Sequence, residues 1–289
     1  MLLASIEILG GLGNHLFQIA FLLHYLKVSR QKDRYRKIVF KNEYDVGNKY
    51  QLERKTFWRS LFKDQFNIMD VYDYNNIRFD IIYGEGEHHK FQQLPYELEK
   101  NILFKGYFQS FKYIDDDIRK QMINYLYSNE DIMYNAYDKY NLIKMYFGDK
   151  TQDDDMISMH VRRTDYVWDS NYHNNLTLNY YKEALKIAKK QFIVIFSDDI
   201  EWCKNNITNN IYENAIIYFV DVRIVEIEFI LMSMFQHNII ANSTFSLWAS
   251  FISSYENKIV IAPQAWYSNN NNEMQDWSEI YHKYITHKI

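Results

Sequence analysis

The strongest constraint on the fold is the regular alternation of apolar runs and helical patterns in the second half of the chain. Between residues 156 and 263, five short runs rich in Ile, Val and Phe are separated by four segments with helical periodicity. An apolar run of strand length is typical of a strand buried on both faces, and βα repetition of this kind predicts a parallel sheet. The five runs are MISMHV, QFIVIF, AIIYFV, HNIIA and KIVIAP.

The first half also opens as an α/β unit, although its middle gives no clear pattern. The segments ASIEIL, NHLFQIAFLLHYLKV and KIVF predict strand, helix and strand, and NILFKGYF predicts a further strand over 101–108. Two helical stretches follow and end near Gly148. The segment 148–155, GDKTQDDD, is the most polar stretch before the alternation resumes. We therefore predict an α/β protein with domains at 1–150 and 151–289.

Composition and charge narrow the class of protein. A chain of 289 residues, 47% hydrophobic and 24% charged, is long enough for one large or two smaller α/β domains. The net charge of -4 lacks the positive field that non-specific binding of nucleic acid requires, so no nucleic-acid partner is expected. The single cysteine, Cys203, excludes an internal disulfide and fits a reducing compartment.

Apolar stretches in the sequence are too short for a membrane span. A transmembrane helix needs about 20 apolar residues, and the run IAFLLHYL from Ile19 is shorter and contains His24. The segment MLLASIEIL has no basic leader. We therefore expect a cytoplasmic protein with no transmembrane segment and at most peripheral contact with a membrane.

Polar groups follow three of the predicted strands. The segment HVRRTDY places His160, Arg162, Arg163 and Asp165 directly after the strand at 156. The segment SDD follows the next strand, and NSTFS follows a later strand and begins a helix. In parallel α/β sheets ligands lie beyond the carboxyl ends of the strands, and helix N-termini favour anions. The pattern therefore predicts a phosphate site that has no Walker lysine.

Plainer interpretations of these residues stay open. Arg163 could pair with Asp165 as a structural ion pair, and Ser243 or Thr244 could simply cap a helix.

The segment GGLGNH, after the first predicted strand, predicts a ligand loop. Its glycines let the backbone approach a ligand closely, and Asn14 stands where it could cap the next helix. It is not a dinucleotide fingerprint, because the third glycine of G-x-G-x-x-G would fall at Leu16. A tight turn with Asn14 as an ordinary helix cap explains the same residues.

Three groups of side chains could be considered as metal ligands, and none is convincing. Asp153 and Asp155 precede their strand and so face the wrong end of the sheet. Asp198 and Asp199 are adjacent in sequence, so their side chains should diverge, and one of them is expected to cap the following helix. The histidine group has no second cluster to support it. We therefore expect no metal. The three groups are Asp153 with Asp155, Asp198 with Asp199, and His88 and His89 beside Glu85 and Glu87.

Several motifs taken together resemble the α-1,2-fucosyltransferase family of glycosyltransferases. HVRRTD matches the family element H-x-R-R-x-D, GGLGNHLFQIA matches its N-terminal G-G-L-G-N-Q-M-F-Q-Y-A, and GYFQS matches G-Y-W-Q-S. The segments SDDIEWC, LMSMFQHNIIANSTFSLWAS and IAPQAWY match as well. The resemblance runs in order along nearly the whole chain.

The resemblance implies a GT-B-type fold, with two Rossmann-like domains facing each other across a cleft. The first domain would lie on the acceptor side and the second would bind the GDP-sugar. The implied enzyme is a galactoside α-1,2-fucosyltransferase. It moves L-fucose from GDP-β-L-fucose to a hydroxyl, O2 of a terminal galactose, on an oligosaccharide or glycoconjugate acceptor. It inverts the anomeric centre and needs no metal or other cofactor.

The resemblance also implies roles for individual residues. Arg162 would hold the β-phosphate, which fits the need for a fixed cation when negative charge develops on GDP. The resemblance does not identify the base for the acceptor hydroxyl; from the residues themselves, Asp165 is the first choice and His15 the second. The other donor-side residues are His160, Arg163, Glu228, Asn242, Ser243, Thr244 and Ser246, and the residues facing fucose and acceptor are Gly11, Gly13, Asn14 and His15.

Four departures from the family pattern bear on specificity. His15 replaces the usual Gln, Ile19 a Tyr, Leu247 a Trp and Glu228 an Asp. They leave acceptor identity and donor choice open, so a transferase using another sugar nucleotide or a non-galactose acceptor stays an alternative. A non-catalytic glycan-binding module is a third reading, disfavoured because the arginine motif is intact.

Overall fold

The computed structural model describes residues 2–30, 36–42, 55–87, 89–94, 100–148, 151–168, 173–268 and 278–289. The chain forms two compact units, residues 1–129 with 276–281 and residues 130–275 with 282–289. Each unit is built on a parallel sheet with helices between its strands, so the predicted α/β class is confirmed.

The first unit contains a five-stranded parallel sheet of order β3-β2-β1-β5-β4. Its strands are β1 Leu2–Ile6, β2 Arg36–Lys41, β3 Asn67–Met69, β4 Ile81–Gly84 and β5 Ile102–Lys105. Its helices are α1 Leu12–Arg30, α2 Val71–Asn75 and α3 Asp116–Leu126.

Helix α1 begins two residues earlier than the sequence suggested. The carbonyl of Gly11 accepts hydrogen bonds from the backbone N–H groups of Asn14, at 2.9 Å, and His15, at 3.1 Å. Gly10 turns the chain into the helix with φ of +77°, in the left-handed region that favours glycine. Asn14 therefore lies inside the first turn, and the prediction that it caps the helix was wrong.

The second unit contains a six-stranded parallel sheet of order β11-β10-β9-β6-β7-β8. Strand β6, between β9 and β7, is buried along its whole length, as expected for a central strand of a parallel sheet. Its strands are β6 Met156–Val161, β7 Phe192–Ser197, β8 Ile216–Phe219, β9 His237–Ile239, β10 Val260–Ala262 and β11 His287–Lys288. Its helices are α4 Glu130–Phe147, α5 Thr164–Trp168, α6 Leu178–Ala188, α7 Ile200–Asn206, α8 Val225–Ser233 and α9 Thr244–Ile252.

Helix α4 belongs to the second unit, whereas the predicted boundary had left it in the first. It packs against α8, and the carboxylate of Asp153 fixes it to the start of β6. That carboxylate accepts hydrogen bonds from Tyr140 Oη at 2.9 Å, Lys144 Nζ at 2.9 Å and Tyr255 Oη at 3.0 Å. Asp153, in the polar segment 148–155, is therefore bound to α4 and to Tyr255 of the second unit.

No helix in the described part of the chain is long and apolar enough to cross a membrane.

Candidate functional site

Three neighbouring strands of the second sheet end at one edge. Strands β7 and β9 both pair with β6, and all three are parallel, so their carboxyl ends lie together. The predicted donor-side residues 160–165 and 242–246 lie at or just after two of these ends. The topology therefore brings two of the polar segments to one place, together with the segment that follows β7.

Asp198, the residue after β7, binds the segment that follows β6 through several contacts. Its Oδ1 accepts a hydrogen bond from the backbone N–H of Arg163 at 2.9 Å. Its Oδ2 accepts from the backbone N–H of Thr164 at 3.2 Å and from the Thr164 hydroxyl. The same oxygen lies 3.1 Å from Nη1 of Arg162. The sequence had placed Asp198 among the polar groups at this edge and considered it as a weak metal ligand, but it did not predict these hydrogen bonds.

Arg162 is a charged group held between two neighbours. Besides the ion pair with Asp198, its guanidinium carbon lies 5.4 Å from the centre of the Tyr166 ring. Its side chain is 19% exposed, so it is sheltered from solvent but still accessible. A guanidinium keeps its charge at any physiological pH and presents five N–H donors in one plane. Arg162 is thus a fixed cation at the carboxyl edge of the sheet.

Arg163 has different neighbours. Its guanidinium carbon lies 3.6 Å from the centre of the Trp202 ring, and its Nε lies 3.5 Å from Oδ2 of Asp199. The alternative pairing with Asp165 stays a prediction, because only the backbone of that residue, in α5, lies within the described part of the chain. The contacts of Arg163 are those of a residue that packs loop against helix.

His160 and Ser246 form a buried pair beneath this edge. Nδ1 of His160 lies 2.9 Å from Oγ of Ser246, and both residues are almost fully buried. Burial lowers the pKa of His160 to about 4; the charge of Arg162 lowers it further and that of Asp198 opposes the shift. His160 is therefore neutral at neutral pH and ties the end of β6 to α9.

The two residues before α9, Asn242 and Ser243, are both buried but differ in their contacts. The amide of Asn242 donates to the carbonyls of Asn174, at 2.9 Å, and Trp266, at 2.7 Å, and its own carbonyl accepts from Tyr166 Oη at 2.8 Å. Ser243 precedes the helix and makes no side-chain capping bond. Asn242 therefore shapes the loop, and the N-terminal N–H groups of α9, which begins at Thr244, point to the same edge.

Glu228, on α8, is a partly buried carboxyl close to these charges. Burial raises its pKa to about 8; the charge of Asp198 raises it further and that of Arg162 opposes the shift. The carboxyl therefore keeps its proton to a higher pH than an ordinary glutamate does.

In the first unit, the predicted acceptor-side residues surround the start of α1. The side-chain carbonyl of Asn14 accepts a hydrogen bond from the Gln109 amide at 2.9 Å. His15 is buried and makes an edge-on contact with Phe57, with ring centres 5.6 Å apart. Gly11 precedes α1 and Gly13 lies in its first turn, so Gly10, not either of these, takes the left-handed conformation.

Two buried or half-buried side chains that were not predicted fix the same region. The amide of Gln18, fully buried, donates to the carbonyls of Glu7, at 2.9 Å, and Gly106, at 2.8 Å, and its oxygen accepts from Leu9 N–H at 3.1 Å. The carboxylate of Glu85 accepts from the N–H groups of residues 107 and 108, at 2.8 and 2.9 Å. Gln18 stands in the motif GGLGNHLFQIA, which was the one available signal.

The groups considered as metal ligands are engaged in other contacts. Asp199 caps α7 by accepting from Trp202 N–H at 3.1 Å, while Asp198 turns toward the segment after β6, so the predicted divergence is observed. Asp155 accepts from Gln152 N–H at 2.8 Å. His88 lies outside the described residues. Within them, no group of three or more His, Cys, Asp or Glu side chains could hold a metal ion.

The profile of the family described as Glycosyl transferase family 11 matches residues 6–286. The chain belongs to glycosyltransferase family 11. This confirms the resemblance found in the motifs, and the chain is a glycosyltransferase with two parallel-sheet units.

Two relatives and one solved structure place this family 11 chain among known proteins. It is 28% identical to the O-antigen biosynthesis glycosyltransferase WbnK of Escherichia coli, over 93% of this chain and 97% of that one. It is 36% identical to an alpha-1,2-colitosyltransferase of Escherichia coli over 38% of this chain and 41% of that one. POFUT1 in complex with GDP matches 89% of this chain and 97% of that one, at 11% identity and a TM-score of 0.44, too distant to transfer any detail of a site.

Proposed function

We propose that this family 11 enzyme transfers L-fucose from GDP-β-L-fucose to a hydroxyl of a glycan, O2 of a terminal galactose, with inversion and without a metal. The family assignment supports glycosyl transfer, and the names of the two relatives support a glycan acceptor and an α-1,2 linkage. The expected cytoplasmic location stays a prediction.

The observation that carries the proposal is the fixed cation at the carboxyl edge of the second sheet. Cleavage of the bond between sugar and phosphate leaves negative charge on GDP, and preorganised donors stabilise such charge best. Arg162 supplies a planar cation, and the N-terminal N–H groups of α9 add partial positive charge beside it. Arg162 would contact the β-phosphate, and Ser243 and Thr244 would lie along the pyrophosphate. Ser246, which the sequence had placed there as well, is fully buried against His160 and would support the loop from beneath.

For the acceptor proton we propose Asp165 as the base, with His15 as the second candidate. The burial of His15 against Phe57 supports a packing role for it. His160 is a poor general base, because burial holds its pKa near 4.

The donor assignment is tested by ligand binding. GDP and GDP-fucose are expected to raise the Tm of the protein, since a ligand that binds only the native state stabilises it, whereas UDP and dTDP are not. Stabilisation by UDP but not by GDP would rule out fucose transfer from GDP-fucose. Turnover, measured as GDP released from GDP-fucose in the presence of a β-galactoside, is expected to persist in EDTA; complete loss that Mn²⁺ restores would contradict the metal-free mechanism.

The role of Arg162 is tested by truncation. Arg162→Ala is expected to lower kcat/KM by roughly 100-fold or more, equivalent to about 3 kcal/mol of transition-state stabilisation, because the developing charge on GDP loses its cation. Arg162→Lys keeps the positive charge but not the planar pair of N–H donors, and it is expected to lower kcat/KM by less than Arg162→Ala does. The control is Arg78→Ala, which removes an arginine that is 90% exposed and paired only at the surface, and which should leave kcat/KM unchanged.

A second candidate is colitosyl transfer, favoured by the 36% identity to the alpha-1,2-colitosyltransferase. It would use the same phosphate contacts and a different sugar. Comparing GDP release from GDP-fucose with release from the colitosyl nucleotide, under the same conditions, decides between the two.

A further inference from the structure

Asp198 is a carboxylate at a place where a second negative charge is unfavourable. The edge of the sheet beside Arg162 is the proposed diphosphate site, and a carboxylate there repels an anionic ligand. Attraction to an anionic ligand therefore cannot explain why a carboxylate stands at position 198. The explanation must lie in the contacts that Asp198 makes with the rest of the chain.

Those contacts concentrate on three consecutive residues. Asp198 accepts hydrogen bonds from the backbone N–H groups of Arg163 and Thr164 and from the Thr164 hydroxyl, and it forms an ion pair with Nη1 of Arg162 at 3.1 Å. The backbone bonds fix the path of the chain as it leaves β6. The ion pair holds one nitrogen of the guanidinium beside Asp198, and because the guanidinium is planar, this limits the directions in which its other N–H groups point.

The Tyr166 ring completes this support. Its centre lies 5.4 Å from the guanidinium carbon of Arg162, and its hydroxyl donates to the carbonyl of Asn242 at 2.8 Å. Arg162 is thus held by a carboxylate from the end of β7 and by a ring tied to the end of β9. An arginine on a loop would otherwise have to be ordered at each binding event, at a cost in side-chain entropy.

We propose that Asp198 is a positioning residue, which orients Arg162 so that its guanidinium faces the charge developing on the leaving nucleotide. This inference rests on the proposed function. Asp198 acts through Arg162 and touches neither donor nor acceptor. The competing explanation is that Asp198 only closes the turn after β6 and matters for folding alone.

A double-mutant cycle separates the two explanations. Asp198→Asn keeps the size of the side chain but replaces one acceptor oxygen by a donor, which faces N–H groups. In the wild-type background it is expected to lower kcat for GDP release from GDP-fucose by about 10- to 100-fold, the scale of loss when a reacting group is misplaced by about 1 Å. KM should change less, because the orientation matters most in the transition state. In the Arg162→Ala background the same change is expected to cost less than about 3-fold.

The neighbouring carboxylate provides a matched control. Asp199→Ala removes the cap of α7 and is expected to lower the Tm, with the same effect on kcat whether Arg162 is present or not. Equal fold-losses for Asp198→Asn in both backgrounds would overturn the inference. If Asp198→Asn does not fold, Thr164→Val, which removes one donor and keeps the carboxylate, enters the same cycle, and an additive result there would overturn it as well.

The experiment distinguishes failure of this inference from failure of the proposed function. If the wild-type protein binds UDP or dTDP and not GDP, the proposed function is wrong, and the cycle is measured on kcat for release of that nucleotide from its sugar nucleotide. Coupling between Asp198 and Arg162 in that kcat would still support the positioning role, and additivity would overturn it. If none of the three nucleotides binds, both proposals are overturned together.

Discussion

Arg162 and Arg163 are adjacent in sequence and have different surroundings. The first pairs with Asp198 at the open edge of the sheet, and the second lies over the Trp202 ring and beside Asp199. Two adjacent arginines in a motif indicate that a cation is needed there, but not which one supplies it. Their partners come from the segment after β7, about 35 residues away, so only the fold separates their roles.

Gly10 cannot be replaced by a larger residue without strain. Its φ of +77° strains any residue with a Cβ, and that Cβ would overlap the side-chain amide of Asn14. Asn14 could turn away only by giving up the hydrogen bond from Gln109. Gly10→Ala is therefore expected to lower the free energy of unfolding by about 1–3 kcal/mol, measured by urea denaturation.

Gly84→Ala is the matched control for Gly10→Ala. A Cβ at Gly84 meets no atom within 4 Å, and this residue ends β4 without a positive φ. It should be neutral within about 0.5 kcal/mol. Equal stabilities of the two variants would show that the start of α1 does not need its left-handed turn.

At the scale of elements, the strands that the sequence predicted are those with a buried pattern. Each of the five runs between 156 and 263 forms a strand of the second sheet. Four of them have neighbouring strands on both sides, which makes their apolar residues continuous; the fifth, AIIYFV, forms the edge strand β8. Strands β3 and β4 were not predicted. Both lie at the edges of the first sheet, are three and four residues long, and are partly exposed, so they carry no distinct apolar pattern.

Part of the candidate site was also accessible from the sequence. The polar segments after β6, β7 and β9 were predicted to converge, and parallel strand topology does place them at one edge. The hydrogen bonds of Asp198 and the burial of His160 were not predictable, because they depend on side-chain directions and on which strand lies next to which. The start of α1 was misjudged by two residues, since Gly11 and Leu12 carry no strong helix-start signal.

Gln18 joins helix α1 to two loops of the first sheet. Its buried amide satisfies the carbonyls of Glu7 and Gly106 and the N–H of Leu9. Gln18→Met, of similar size, leaves these backbone groups without their partner. It is expected to lower the free energy of unfolding by about 3 kcal/mol, measured by urea denaturation.

Gln121→Met, on the exposed side of α3, is the control for Gln18→Met. It should change the stability by less than about 0.5 kcal/mol. A small effect at Gln18 as well would show that water replaces the amide and that the two loops do not depend on it.

At the scale of the whole molecule, each unit is completed by residues far away in sequence. Glu279, in the segment 276–281, accepts hydrogen bonds from the Ser110 hydroxyl at 2.9 Å, from Lys112 Nζ and from Phe91 N–H, and so belongs to the first unit. Residues 282–289 belong to the second unit, where β11 pairs with β10. No local sequence pattern shows that residues 276–281 belong to the first unit, because Glu279 and its hydrogen-bond partners lie more than 160 residues apart in sequence.

The anchoring of α4 to the second unit makes acid stability testable at one carboxylate. Partial burial alone would raise the pKa of Asp153, but hydrogen bonds from Lys144, Tyr140 and Tyr255 outweigh it and lower the pKa below its ordinary value. A carboxyl whose folded pKa is depressed stabilises the fold above its unfolded pKa of about 3.9, and this contribution is lost as the pH falls through the folded pKa. Asp153→Asn is therefore expected to cost about 1 kcal/mol at pH 7 and close to nothing at the lowest pH at which the protein stays folded.

Asp138→Asn provides the comparison on the same helix, since that carboxylate is exposed. Urea unfolding of both variants and the wild type at pH 7 and at about pH 3 gives the difference directly. The gap between Asp153→Asn and wild type should narrow with acid, while Asp138→Asn follows the wild type throughout. A gap that is constant with pH would mean that the shape of Asp153, and not its charge, holds α4 in the second unit, because an uncharged contact does not respond to protonation.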